Sequence, residues 1–577
     1  MSRLFVLVLV CFSFSLAGQD VEGFFGDIRK RIQNKEYFKI SGSASARAGL
    51  NFFDDRGSGA PQRNQNSNYG FNAGLNLDFL GIKAPFTAAF SNGNALYNLP
   101  SYGFAGLSPS YKWITLHAGD RSMNFSPYSL SGVNFRGGGF ELKPGKFEIS
   151  GMMGKLRRAR IEDAGSIQDI ETAYRRVGQG LKVGFNNEGT KVSASLFASS
   201  DRLTLDEEDL DPQLNASPER NMVLTLSGEQ KISKLLKVSG EWARSVLTRD
   251  ENALDLDDPT GQTRLFGLFD PNATTTAADA YNVAVTLSPS FGDLNLRYER
   301  VEPEYSTHGS LFFQNDLENI TTGITAPLFD NKVTLTANVG LQRNDLDNSA
   351  AANNRRFIGS LNANYTASDR LNLNASFSNF TTTNRHKAIA VNNLLVDSVV
   401  IAQTQQSVDL TASYLLDALG ENVLIASGSY QRAALIRDEE VDQDQLSNFS
   451  MLMLSYARQK QEARGSLTGT LLFHRNATPD LNITTVGPNV GYNLQVLGED
   501  GSVGINAGYQ IAFTTFLDQP GLESSSDGVL QSGLNFSYQI TEKQTVNAMA
   551  SFINAGGSEA RPGYSDVQLG INYGFSF

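Results

Sequence analysis

The sequence predicts an all-β chain that crosses a lipid bilayer as one large antiparallel barrel, with about 26 strands and about 24 as the alternative. Three observations carry that expectation. Residues 565–577 alternate without a break, with Val567, Leu569, Ile571, Tyr573, Phe575 and Phe577 on one side and Asp566, Gln568, Gly570, Asn572, Gly574 and Ser576 on the other. That is the two-residue period of a strand, and a stripe so aromatic at a chain end is an aggregation hazard in water but not against lipid. The same pattern recurs upstream: Val333, Leu335, Ala337, Val339 and Leu341 oppose Thr334, Thr336, Asn338, Gly340 and Gln342, while Leu371, Leu373, Ala375 and Phe377 oppose Asn372, Asn374, Ser376 and Ser378. Finally, past the extreme N-terminus no apolar run reaches the roughly 18 residues a membrane helix needs, so any span is made of strands.

Taken in chain order, Arg3, the apolar run 4–12 and the small-x-small site at Ser15, Leu16 and Ala17 mark residues 1–17 as a secretory signal peptide. Cys11, the single cysteine, lies inside it behind Val10, where a lipoprotein signal would want a small residue. The mature chain is therefore expected to have no thiol for disulfides, metal or nucleophilic chemistry. Residues 18–36 read as an amphipathic periplasmic helix, Val21, Phe24, Phe25, Ile28 and Ile32 sharing a face. Packing at the barrel's lower rim or inside its mouth is one reading of that face, and partner binding is the other.

The barrel occupies 37–577. Tight turns such as Asn187-Glu188-Gly189 and Ala367-Ser368-Asp369-Arg370 alternate with longer polar excursions at 54–68, 158–174, 201–219, 249–278, 383–403 and 437–446. Short periplasmic turns and long outside loops are the expected asymmetry. The strand count turns on 111–132: residues 113–120 and 121–128 as two strands give about 26, and an in-folded segment there gives about 24. Gly137-Gly138-Gly139, between Phe135 and Phe140, is expected to be a bulge.

Composition narrows the chemistry. With 60 acidic against 48 basic residues the chain carries a formal charge of −12, a poor match for nucleic acid. Acidic clusters at 201–211, 250–258 and 438–444 could hold divalent cations or could simply be solvated, and none has the EF-hand spacing. A basic knot of Lys155, Arg157, Arg158, Arg160, Arg175 and Arg176 is suited to phosphates, as anion or lipopolysaccharide contacts, or to pairing with Glu162, Asp163 and Glu171. Catalysis needs a histidine beside a serine or acid. Among His117, His308, His386 and His474, His117 and Asp120 fall on opposite strand faces, and no serine elbow, metal-ligand spacing or phosphate-cradling loop appears. No catalytic residue, metal site or cofactor is expected.

The ending Gln568, Gly570, Tyr573 and Phe575, closed by Phe577, resembles the C-terminal signal of Gram-negative outer-membrane β-barrels. That resemblance implies residence in the outer membrane, contact with its lipid and lipopolysaccharide, and insertion by the barrel-assembly machinery. Residues 113–142 in addition resemble uncharacterised outer-membrane proteins of Bacteroidota. The uncharged in-facing set suggests passage for polar solutes or polymers. A barrel this wide needs occlusion, with the N-terminal helix, the loops 94–110 and 249–278, or a partner as the candidates. The alternative is a platform in an outer-membrane complex, holding a periplasmic or surface protein without transport of its own.

Overall fold

The computed structural model describes residues 28–34, 37–56, 66–92, 102–159, 173–202, 217–255, 263–386, 389–391, 394–396, 399–437, 440–459, 464–498, 500–517, 524–557 and 563–577. The signal peptide, residues 18–27 of the predicted helix and the acidic cluster at 206–209 lie outside them.

Each wall strand pairs antiparallel with its chain neighbour, and the first, Phe38–Asp54, pairs with the last, Tyr564–Ser576, to close the sheet. Closure leaves no unpaired edge, which is what a membrane demands of strands. Among the described residues the wall has 26 strands, the segments Tyr102–Leu107 and Ser110–Tyr111 together forming one interrupted strand between Ile82–Ser91 and Ile114–Ser122. The expected count holds for a different local reason. Residues 114–122 form a strand and 123–133 fold inward, while the additional strand comes from 102–111, which takes up the second half of the stretch 94–110 expected to be a loop.

Two further expectations are corrected. The triple glycine is no bulge: Asn134–Leu142 runs in unbroken register against both neighbours, and the local register shift falls between Lys155 and Arg157. Gly137 is small for another reason, because a Cβ there would strike the Met153 carbonyl of the next strand. Most of 437–446 is strand as well, belonging to Glu440–Gln459, and the excursion at 383–403 is reduced by Leu371–His386 and Val399–Leu415, with a small hairpin of Ile389–Val391 and Leu394–Val396 between them.

Alternation sorts the wall into two faces. Tyr69, Phe71, Leu452, Leu454, Ile505, Leu534 and Ile571 are exposed on the outside, where lipid meets them. The inside carries Asn, Ser, Thr and Gly. Several inward asparagines lie flat across a glycine of the neighbouring strand, Asn68 over Gly49, Asn338 over Gly323, Asn489 over Gly508 and Asn506 over Gly533. A Cβ at any of these glycines would sit closer than 3 Å to the amide, so the pairing keeps the amide against the wall and the bore wide. Met549, which interrupts the polar set of its strand, faces inward over Gly570.

Residues 28–33 are helical. Arg31 reaches the inward-facing Asp78 at 3.3 Å, and its guanidinium borders Gly81 in the periplasmic turn between Ser67–Phe79 and Ile82–Ser91. The described part of the helix thus docks at the lower mouth.

Candidate functional site

Dry side-chain packing inside the barrel is concentrated on one arc. There the inner face gives up its polar character, with Val223, Ala243, Ala278 and Ala280 pointing inward and fully or almost fully buried. Small and apolar residues make a shelf, and two segments rest on it. After Ser122 the chain leaves the wall, and Met123, Phe125, Leu130 and Val133 pack with Phe135, Met152 and Phe197. Tyr128 and Tyr305, the latter from the loop 302–316, join the Val223 shelf together with Val301 and Leu317. Burying aliphatic and aromatic groups of this size stabilises by about 1.5–3 kcal/mol each. Gly180 makes room for the Phe125 ring and Gly139 for Met123, since a Cβ would come within 2.5 Å and 2.9 Å of them respectively.

Polar contacts pin the same segment. A tight turn over Phe125 to Leu130 is closed by Phe125 N–H donating to the Leu130 carbonyl at 2.9 Å. From the wall, Lys182 Nζ donates to the Phe125 carbonyl at 3.1 Å, and Ser126 Oγ donates to Glu241. The Tyr128 hydroxyl donates to Glu299 at 2.6 Å and accepts from Asn282 Nδ2 at 3.1 Å. The second loop holds the first from above: Tyr305 donates to the Tyr128 carbonyl and Thr307 to the Ser129 carbonyl, both at 2.7 Å. Burial pushes both phenols up, so each remains a donor at any physiological pH.

His308 anchors the far end of that loop. Its Nδ1 lies 2.9 Å from Ser199 Oγ, its Nε2 lies 3.2 Å from Glu219, and its backbone N–H donates to Asn221. Burial pushes the imidazole below its usual range, while the hydrogen bond from His308 holds the Glu219 carboxyl down at about 2. Arg176 completes the cluster, gripping Asp201 through two bonds of 2.7 and 2.8 Å and reaching Glu219 at 2.5 Å.

His117 also finds partners that its sequence neighbourhood does not show. As expected, Asp120 faces the other way; but Ser108 Oγ lies 2.9 Å from Nδ1 and Glu141 lies 3.3 Å from Nε2. Lys143 neutralises the same carboxylate at 2.8 Å. His474 points inward and packs against Phe449. Among the described residues no cluster of three or more His, Cys, Asp or Glu could hold a metal.

The basic knot is divided by the wall. Arg157 and Arg176 turn into the lumen and are taken up by Asp201. Lys155 and Arg175 stay on the outer side, Arg158 follows the end of its strand within electrostatic reach of Lys155 and Asp120, and Arg160 lies outside the described residues. In the insertion signal, Tyr573 and Phe575 face outward, Gln568 and Gly570 inward, and Phe575 meets Phe577 edge-on at 4.7 Å. Sequence reading missed the shelf. Its trace was there: in residues 222–226 both parities are apolar or small, and 277–280, two strands along, reads Ala-Ala-Asp-Ala.

No family model and no curated protein matches the chain, so the likeness of 113–142 to Bacteroidota proteins rests on those residues alone. Among solved structures, the chain is similar to the translocation pore of the P pilus usher PapC (TM-score 0.37, 11% identity, 93% of this chain and 99% of that one). It is also similar to the ferric enterobactin receptor PfeA of Pseudomonas aeruginosa (TM-score 0.40, 11% identity, 93% and 80%) and to the copper transporter OprC (TM-score 0.29, 10% identity, 94% and 83%). Such likenesses bear on no activity. The closed 26-strand wall, greasy outside and hydrated inside, defines the class: this is an outer-membrane β-barrel.

Proposed function

We propose that the barrel provides passage for polar solutes or polymers through a bore narrowed on one side by residues 123–133 and 302–316. The observation that carries this reading is the contrast between the two arcs of the inner face. One arc is a dry shelf bearing two pinned segments. The other is a trough of about 940 Å³ lined by Asn72, Asn493, Asn506, Asn535, Asn547 and Asn572 among others, with Arg47 as the one charged side chain in its lining. Amides supply both donors and acceptors, so a neutral hydroxyl- or amide-bearing solute exchanges water for wall at little cost. A platform with no cargo has no need of so long a hydrogen-bonding surface.

The test is electrical and osmotic. Purified protein in planar bilayers is expected to give step-like conductance, and proteoliposomes are expected to swell in neutral oligosaccharides. A sealed barrel that copurifies with a stoichiometric protein partner would overturn the proposal in favour of the platform.

A further inference from the structure

On the outside of the wall Arg136 joins Lys155, Arg158 and Arg175 of the basic knot at one place. Asp120, Arg136 and Lys155 are opposite one another on three adjacent strands, Ile114–Ser122, Asn134–Leu142 and Phe147–Arg157. All three share the outward face with Leu116, Phe140 and Met153. In a regular strand Lys155 and Arg157 would share a face, but the register shift between them sends Arg157 inward to Asp201 and leaves Lys155 outside. Arg175 is outward by the alternation that puts Arg176 inward, and Arg158 couples electrostatically to both Asp120 and Lys155.

Asp120 is engaged by Arg136 through two bonds of 2.7 Å. Lys155 is therefore crowded by Arg136, Arg158 and Arg175 with Asp120 as the carboxylate acting on it. Among the described residues four positive charges meet one negative, in a chain of net charge −12, and like charges so placed repel one another unless an anion lies among them. Their height matters equally. They occupy the extracellular ends of their strands, and directly below them the same face is apolar, with Leu116, Met153 and Val183 exposed at 50%, 64% and 43%. A multiply anionic head seated above a lipid-facing stripe is the geometry of an amphiphile.

We propose that Arg136, Lys155, Arg158 and Arg175 bind the phosphate groups of a phosphorylated lipid of the outer leaflet, with its acyl chains lying along Leu116, Met153 and Val183. Guanidinium groups grip phosphate bidentately, Lys155 adds a point charge, and Asp120 holds Arg136 in position. The site is separate from the lumen and does not depend on what passes through it.

The experiment is a thermal-shift and native mass-spectrometry titration of the detergent-purified barrel with three probes: bisphosphorylated lipid A, the same lipid dephosphorylated, and inorganic phosphate. The lipid A probe is expected to remain bound in the mass spectrum and to raise the melting temperature, whereas the dephosphorylated lipid and free phosphate are expected to do neither. The double variant K155Q/R175Q is expected to lose at least tenfold in lipid affinity, and R157Q, whose side chain faces the lumen, to retain it. Heat-modifiable mobility on gels checks that each variant is folded, and R136K tests the same site should the double variant fail to fold. Equal shifts from the dephosphorylated lipid, saturation by inorganic phosphate alone, or undiminished binding by folded K155Q/R175Q would each overturn the proposal.

Discussion

Replacing Tyr128 with phenylalanine removes one oxygen from the pinned segment and nothing else. The ring keeps its packing against Tyr305, at 6.4 Å and nearly edge-on, and its place on the Val223 shelf. What goes is the 2.6 Å bond to the Glu299 carboxylate and the acceptor for Asn282. A hydrogen bond to a charged partner contributes about 1.5–3 kcal/mol. Arg297 still contacts Glu299 at 3.2 Å and softens the loss, so about 2 kcal/mol is expected. Each 1.4 kcal/mol is tenfold in an equilibrium, which makes local opening of residues 123–133 about thirtyfold more frequent. Amide hydrogen exchange in detergent measures that frequency directly, with wall-strand amides as internal reference. Tyr305→Phe forfeits only a bond to a neutral carbonyl, about 1 kcal/mol or roughly fivefold. If both variants exchange at wild-type rates, the segment is held by packing alone and the reasoning about polar pins fails.

Other perturbations test the remaining parts. Gly180→Val is expected to displace Phe125 and raise single-channel conductance, and a wild-type conductance would mean that 123–133 does not bound the bore. Arg176→Ala leaves Asp201, whose side chain is 1% exposed, with Arg157 and the Glu219 backbone N–H; breaking a buried pair costs about 3–5 kcal/mol, read as a lower denaturation midpoint. Acid is expected to unlatch the His308 end. The Glu219 carboxyl sits at about 2 when folded against 4.5 unfolded, so its contribution is whole above 4.5 and is lost as pH falls from there toward 2. His308 is depressed below 6.5, so the unfolded chain takes up that proton first and stability already declines below 6.5. Melting temperature is expected to fall in two stages between pH 7 and 3, and His308→Gln to abolish the upper one. Tyr573→Lys puts a charge on the lipid face, costing roughly 2–4 kcal/mol at mid-depth and less near the interface, and is expected to reduce the heat-modifiable fraction in membranes.

How much of this the bare chain reveals depends on the range of the interaction. Two-residue alternation is local, and it is enough to predict the barrel, its hydrated inner face, the outward stripe ending at Phe577 and the short-turn, long-loop asymmetry. It also places His117 and Asp120 on opposite faces. Alternation says nothing about a segment that leaves the wall. Whether 123–133 forms a strand or folds inward is decided by a shelf of small residues more than a hundred positions away, at 243 and 278–280, and by Glu241, Asn282 and Glu299. Nor does it survive a bulge, which is why Lys155 and Arg157, two apart in sequence, divide between lipid and lumen. Local periodicity chose the architecture because each strand buries its own backbone bonds against immediate neighbours. The bore's contents and the outer charge cluster were settled only when distant strands curved round to face one another.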